Sequence, residues 1–360
     1  MPNAGYAAFA TRRFQRGELI CTEKPAVWIE GHHPFTEEQV LEIDRRIAML
    51  PAEQQRAALS LANVFADAPT LAAGIFMTNS FDMPDSALQW PEPCKQAQFL
   101  GSPKSIEGNP SFSAESLKKE AQDGEEGDGV PRCALYVAIA RLNHSCTPNA
   151  QQSHIPSTGE EVLYATRTIE EGEEINDCYI DLRQTTAERR AALSEIYRFH
   201  CTCKTCAAAD NPASATTAAQ DDRYRSKAAT FDDLILRTIS DSGVDTALYV
   251  ALDAVRLLSA ATCLPWSERY LPDAWVTVHD LYLAVAMQHK SRDRRDNFKN
   301  SKGRMGNSGY PTERSNSGDS EPRRAAQSAI ATAAQLSMAL SGPRSPEYMR
   351  AMLKLRAFVG

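Results

Sequence analysis

Three cysteines fall within six residues of this chain, Cys201, Cys203 and Cys206 in "FHCTCKTC". Thiolates at that spacing can share one ion without ordering a long loop, and no other short stretch of the sequence makes so definite a structural demand. A tetrahedral zinc site takes four ligands, so the fourth has to come from elsewhere. Cys146, Cys178, His144 and His200 are the candidates, and Cys146 stands in another polar turn that carries a thiol, "RLNHSCTPNA" at 141–150. By itself His144-Ser145-Cys146 also fits a buried turn, or a nucleophile with its base. The nucleophile is the weaker of these readings, because near neighbours on one strand or turn rarely aim their side chains at each other. Nine cysteines, odd in number and otherwise scattered, do not fit the disulfide framework of a small secreted domain. Cys21, Cys94, Cys133, Cys178 and Cys263 read as ordinary free thiols.

A chain of 360 residues with 42% hydrophobic and 24% charged side chains can bury one large core or a few smaller ones. Its net charge of -7 argues against a general nucleic-acid coat, whose phosphate contacts need a surplus of Lys and Arg. No apolar run reaches membrane-spanning length, and Met1 to Arg16 has no signal-peptide core. The expectation is a monomeric cytoplasmic and/or nuclear protein with no membrane contact.

Short strands open the chain: "AAFATR", "ELICTE" and "AVWI", with a turn at Arg16-Gly17. Thr36 and Gln39 form a capping box ahead of a helix carrying Val40, Ile43, Ile47 and Leu50 up to Pro51, and a second helix is predicted to about Phe65. Residues 91–130 lack periodicity and are rich in Pro, Gly, Ser and charge, which predicts an exposed insertion. Apolar "ALYVAIARL" leads into the 141–150 turn, and strand-like "EVLYATR" and "EINDCYI" follow it. Thr185 with Glu188 then caps a helix that delivers the chain into the cysteine cluster. Beyond Asp210 the pattern is helical, with a polar, basic interruption at 290–324 that is predicted to be disordered.

Taken in order, "GYAAFATRRFQRGELI", "TNSF" at 78–81, "RLNHSC", "GEEINDCYID" at 172–181, "ERRAAL" at 188–193 and "YRFHCTCKTC" at 197–206 resemble the SET-domain protein lysine methyltransferases. The similarity is greatest to their SET-and-MYND branch, although the cysteines present do not assemble a MYND zinc finger. The resemblance implies an α+β protein: a mostly-β SET domain over 1–200 with a helical insert at about 34–90, a zinc-binding post-SET segment at 201–210, and an all-α C-terminal domain over 211–360.

It also implies site residues. Cys146 completes the zinc site with Cys201, Cys203 and Cys206. S-adenosylmethionine is contacted by Gly5, Tyr6, Ala7, Asn79, Asn143, His144 and Tyr179, with Phe199 over the adenine. Tyr179 and Tyr197 wall a channel for the substrate lysine and are the catalytic residues. Where this family usually has Gly-x-Gly, the chain has Gly5-Tyr6-Ala7, and Ala7 would cost about 1 kcal/mol if that backbone needed positive φ. Glu173, Glu174 and Asp181 read as surface or turn charges. The activity implied is transfer of a methyl group to a lysine amine of a protein, histone or otherwise. The competing reading is a catalytically degenerate SET module that keeps the zinc and serves as an interaction scaffold.

Overall fold

The structure is a computed structural model of the chain, and it describes residues 7–31, 34–83, 132–155, 158–260, 266–302, 317–341 and 346–359. Gly5, Tyr6 and the insertion expected at 91–130 lie outside the described residues.

Strands β1 (Ala8–Phe9), β2 (Leu19–Glu23) and β3 (Val27–Glu30) open the chain. The turn before β2 needs Gly17: its φ is +78°, and an added Cβ would come within 3.2 Å of the Ala339 carbonyl oxygen in the C-terminal helices. Helix α1 (Glu37–Ala48) starts at the predicted capping box. Gln39 N–H donates to Thr36 Oγ1, and Thr36 N–H donates to Gln39 Oε1 at 2.8 Å. Its face Val40, Ile43 and Ile47 is buried as the spacing predicts. Helices α2 (Ala52–Leu59) and α3 (Leu71–Asn79) follow, then β4 (Ser80–Met83) and β5 (Arg132–Leu135).

A single turn of 3₁₀ helix, Ile139–Arg141, leads into β6 (Asn143–His144), β7 (Ala150–Ile155), β8 (Glu160–Ala165) and β9 (Glu174–Asp177). β7 was not predicted: "AQQSHI" is polar and carries no alternation of apolar residues, although Gln151, Ser153 and His154 are all buried. β9 is shorter than "EINDCYI" suggested, because the chain leaves the ladder after Asp177.

Three small sheets result, with strand orders β1-β9-β6, β2-β8-β7 and β3-β5-β4. They enclose a core that includes Phe14, Tyr136, Leu142, Leu163, Ile169 and Ile175, while α1 to α3 cover the third sheet through Ile43, Ile47, Ile75 and Phe76. In the first sheet β6 runs parallel to β9, pairing Asn143 with Asn176 and His144 with Asp177. This pairing brings the 141–150 turn beside the segment that carries Tyr179.

Helix α4 (Thr186–Tyr197) begins at the second predicted capping box, with Glu188 N–H on Thr185 Oγ1 and Thr185 N–H on Glu188 Oε2 at 2.7 Å. Thr185→Ala is expected to lower stability by about 1 kcal/mol, measured as a shift of the denaturant midpoint at unchanged slope. Arg198 ends the helix in the left-handed region, φ 58°, and turns the chain toward Phe199.

From there the described elements are helical: α5 (Lys204–Asp210), α6 (Ala215–Ala229), α7 (Phe231–Ser242), α8 (Val244–Ala260), a 3₁₀ turn at Ser267–Tyr270, α9 (Leu271–Lys302), α10 (Ser317–Ser341) and α11 (Pro346–Val359). The polar stretch expected to interrupt them is shorter than predicted. Residues 290–302 and 317–324 lie within α9 and α10, and 303–316 lie outside the described residues. Lys, Arg, Gln and Glu are good helix formers, so a helix can continue there without an apolar stripe to announce it.

The helical region shares a core with α4 and the segment that follows β9. Leu258, Trp266, Tyr270 and Leu271 pack with Ile180, Leu182 and Leu193. At the centre of that contact Arg225 is fully buried. Its Nε donates to Asp221 Oδ2 at 2.8 Å, one Nη donates to the Leu182 carbonyl, and Trp266 Nε1 donates to Asp221 Oδ1 at 2.7 Å. A buried ion pair with its hydrogen bonds made is tolerated; one with a partner removed typically costs 3–5 kcal/mol. Among the described residues no helix is long and apolar enough to cross a membrane.

Candidate functional site

The cysteine cluster forms at the end of α4. Cys203 is the N-cap of α5 and Cys206 lies in its first turn, so the three-residue spacing puts both on one side of the helix. Cys201 reaches the same point from the preceding loop, and Cys146 enters from the turn after β6. The four Sγ atoms lie within 4.8 Å of one another, with Cys146 and Cys206 at 3.6 Å. The edge of a tetrahedron with metal–sulfur bonds of about 2.3 Å is about 3.8 Å, so the quartet fits one zinc ion. Cys146, Cys201 and Cys206 are buried. A hydrogen bond with Cys146 pulls the Cys203 thiol down, while hydrogen bonds with Cys201, then with Cys203 and Cys206, push the Cys146 thiol up. Of the other candidates for fourth ligand, Cys178 is buried outside the quartet and His200 is exposed.

One residue at this cluster was present in a quoted motif without a role. Arg189 has no exposed surface; its Nε donates to Cys146 Sγ at 3.2 Å, its Nη1 to the Gln184 carbonyl at 2.6 Å and its Nη2 to Thr186 Oγ1 at 3.0 Å. A guanidinium against a group of thiolates offsets their negative charge where water cannot. Its position was readable, since Thr186, Arg189 and Leu193 form the buried stripe of α4 at helical spacing.

His144 links this cluster to the tyrosines. Its Nδ1 accepts the Tyr179 main-chain N–H at 3.0 Å, and its Nε2 lies 3.3 Å from Cys146 Sγ. An Nδ1 that accepts leaves the neutral ring its proton on Nε2, directed at the sulfur. Burial pulls the His144 pKa down to about 4, in keeping with a neutral ring. His144 and Cys146 do therefore face each other, contrary to expectation, because residues two apart in extended chain share a side. The thiol is turned into the quartet.

Around His144 stand three aromatic rings. Tyr179 is centred 5.4 Å from it and Phe199 6.3 Å, while Tyr197 is 4.9 Å from Tyr179. Tyr179 Oη donates to the Leu142 carbonyl, and Tyr197 Oη donates to the Tyr179 carbonyl at 3.4 Å. Burial pushes the Tyr179 phenol up, so it stays protonated. The structure thus brings His144, Tyr179, Tyr197 and Phe199 together.

Asn143 lies on the same strand, its amide donating to Glu174 Oε1 at 2.7 Å. Asn79 ends α3, where its Nδ2 donates to the carbonyls of Ala62 and Ile75, each at 2.7 Å. Both amide protons are thereby engaged, leaving the carboxamide oxygen. Ala7 is partly buried just ahead of β1.

The carboxylates differ from expectation. Glu174 holds Asn143, and Asp181 accepts from Tyr270 Oη at 2.7 Å and pairs with Arg183 at 3.0 Å. Only Glu173, paired with Arg167 at 2.5 Å, behaves mainly as a turn charge. Two further residues were missed. Asn149, buried, accepts the Asn176 N–H at 2.7 Å and donates to the Glu174 carbonyl at 2.9 Å, fastening the 141–150 turn to β9. Asp177, also buried, lies 3.6 Å from Arg269; burial pushes its carboxyl up and the guanidinium opposes this.

Residues 5–180 match the family model described as SET domain. The chain is 42% identical over 83 residues to histone-lysine N-methyltransferase SMYD3 of Homo sapiens, covering 23% of this chain and 19% of that protein. It is 38% identical over 72 residues to histone-lysine N-methyltransferase set5 of Schizosaccharomyces pombe (20% and 23%), and 41% over 73 residues to N-lysine methyltransferase SMYD2-B of Danio rerio (20% and 16%). The matched stretches therefore span no more than 23% of the length of these relatives.

Proposed function

We propose, from the premise that this chain carries a SET domain of the SET-and-MYND-like branch, that it is an S-adenosylmethionine-dependent protein-lysine N-methyltransferase. The observation that carries the reading is the convergence of His144, Tyr179, Tyr197 and Phe199 beside a four-cysteine cluster. Zinc held by Cys146, Cys201, Cys203 and Cys206 would tie the segment bearing Phe199 to the strand pair β6 and β9.

S-adenosylmethionine supplies an electrophilic methyl on a cationic sulfonium. Aromatic faces favour such a cation, and the rings of Tyr179, Tyr197 and Phe199 offer them. Since both nitrogens of His144 are engaged, its contribution to the cofactor is its main chain and ring face, with Asn143 beside it. Gly5, Tyr6 and Ala7 belong to the proposed contact set, and Asn79 would contribute its oxygen.

The attacking lysine must first lose a proton. At pH 7 a free lysine of pKa about 10.4 is neutral in roughly one molecule in 2,500, a cost of about 4.6 kcal/mol. A channel walled by Tyr179 and Tyr197 disfavours the ammonium form, and a neighbouring positive charge does so further. No carboxylate base is needed. Tyr179 Oη, donating its O–H to the Leu142 carbonyl, keeps its lone pairs for the polarised C–H groups of a methyl. The Leu142 carbonyl lies beside it. These oxygens hold donor, carbon and acceptor in line.

The substrate is a lysine-bearing protein segment, histone or otherwise, met by a monomeric protein in the cytoplasm or nucleus with no nucleic acid or membrane required. Calorimetry with S-adenosylmethionine should give a dissociation constant well below 1 mM, and labelled cofactor should transfer its methyl to protein. A constant weaker than about 1 mM, roughly 4 kcal/mol of binding, would favour the scaffold reading instead.

A further inference from the structure

We propose that Arg269 and Tyr270, neighbours on a 3₁₀ turn of the helical region, are positioning residues that set the placement of Tyr179. The inference rests on the reading of Tyr179 as the group that orients methyl transfer.

Tyr179 stands two residues past the end of β9, where no strand ladder fixes the backbone. Its own N–H is held by His144 on one side. The flanking residues are held by the helical region. Two residues before it, buried Asp177 faces Arg269, with 3.6 Å between Oδ1 and Nη1. Two and three residues after it, Tyr270 Oη donates to Asp181 Oδ1 at 2.7 Å and accepts the Leu182 N–H at 2.9 Å. Tyr270 is fixed in turn, buried at 5% exposure with the Arg183 guanidinium 4.9 Å over its ring. One short turn, about 90 residues away in sequence, therefore holds the chain after Tyr179 by hydrogen bonds and, before it, places the Arg269 guanidinium against Asp177, the last residue of β9.

A shift of about 1 Å at a reacting centre can lower a rate by on the order of 100-fold, so a clamp of this kind acts on turnover before it acts on binding. The helical region is thus more than a wall for substrate: its docking sets the geometry of the tyrosine.

The test compares the full-length chain with Tyr270→Phe, Arg269→Gln and Arg269→Lys. Methyl transfer to unfractionated core histones is followed kinetically, and the Tyr179 ring is followed by fluorine NMR of protein labelled with 3-fluorotyrosine, its resonance assigned through Tyr179→Phe. Tyr270→Phe and Arg269→Gln should each lower kcat about tenfold, with zinc content and the KM for S-adenosylmethionine within twofold of wild type, and should shift or broaden the Tyr179 resonance. Arg269→Lys should recover most of both. A purely structural role would lower Tm and leave kcat at 25 °C unchanged. An unmoved Tyr179 resonance in both variants, or a moved resonance with kcat unchanged, overturns the proposal. If wild-type protein labels no histone while Arg269→Gln still moves the resonance, the clamp stands and the reading of the site as a histone methyltransferase is what fails.

Discussion

Replacing Cys203 with serine, or exposing the protein to a strong zinc chelator, should release one zinc ion per chain and unfasten residues 199–206 from the turn that carries Cys146. Structural zinc in small sites supplies an apparent 10–16 kcal/mol at neutral pH, far more than any single packing contact in this region. The surroundings increase the dependence. Arg189, with no exposed surface, donates to Cys146 Sγ, and breaking up the thiolate group leaves that guanidinium buried beside a weaker counter-charge. Phe199 and Cys201 follow directly on the left-handed C-cap at Arg198, so the loosened segment takes with it an aromatic face of the proposed cofactor site. Metal analysis of protein purified without chelator should give one zinc in wild type and none in Cys203→Ser. Amide exchange across 199–206 should accelerate, and S-adenosylmethionine affinity should fall with it. A zinc content unaffected by the substitution would remove Cys203 from the ligand set.

What the residues disclosed in advance follows the range of the interactions concerned. The two capping boxes were legible because each is complete within four residues, Thr36 with Gln39 and Thr185 with Glu188. The cysteine triplet was legible for the same reason. The fourth cysteine of the cluster, 55 residues before Cys201, could be placed only through resemblance, since Cys146, Cys178, His144 and His200 carry equally suitable donor atoms. The aromatic group around His144 came from that resemblance too; spacing alone would have left Tyr197 as a helix-face residue and Phe199 as core.

Other features depend on contacts that no local pattern encodes. Asn149 acts on residues 25 and 27 positions away, and Tyr270 on residues 88 and 89 positions away. Their identities are ordinary for turns and helix ends. β7 was hidden because both faces of "AQQSHI" carry polar side chains; buried His154, for one, lies 3.3 Å from Glu161 Oε2. The helical ends of α9 and α10 were hidden for the converse reason: a charged sequence without apolar periodicity has the composition of a solvated loop.

Tyr179→Phe should leave fold, zinc content and S-adenosylmethionine affinity near wild type while turnover falls roughly 100-fold to 1,000-fold. The substitution keeps the ring, and with it the packing on His144 and Tyr197 at 5.4 and 4.9 Å, so what is lost is one oxygen. That oxygen is anchored: its O–H donates to the Leu142 carbonyl, which fixes where its lone pairs point. Removing an oriented polar group at a reacting centre costs about 2.7–4 kcal/mol in enzymes where it has been measured, which corresponds to the stated range. The loss should appear in kcat, because the hydroxyl acts on the methyl in flight and not on the bound cofactor. His144→Ala provides the contrast. It removes the acceptor of the Tyr179 N–H and the neighbour of Cys146 together, so cofactor affinity and zinc retention should weaken first. The Leu142 carbonyl, left without its donor in Tyr179→Phe, is a main-chain group on the residue before β6 and has no means of replacing the phenol at the reacting carbon. Near-wild-type turnover by Tyr179→Phe on a verified acceptor would therefore make Tyr179 a packing residue, and Tyr197, whose hydroxyl faces the Tyr179 carbonyl, would be the remaining candidate for the role.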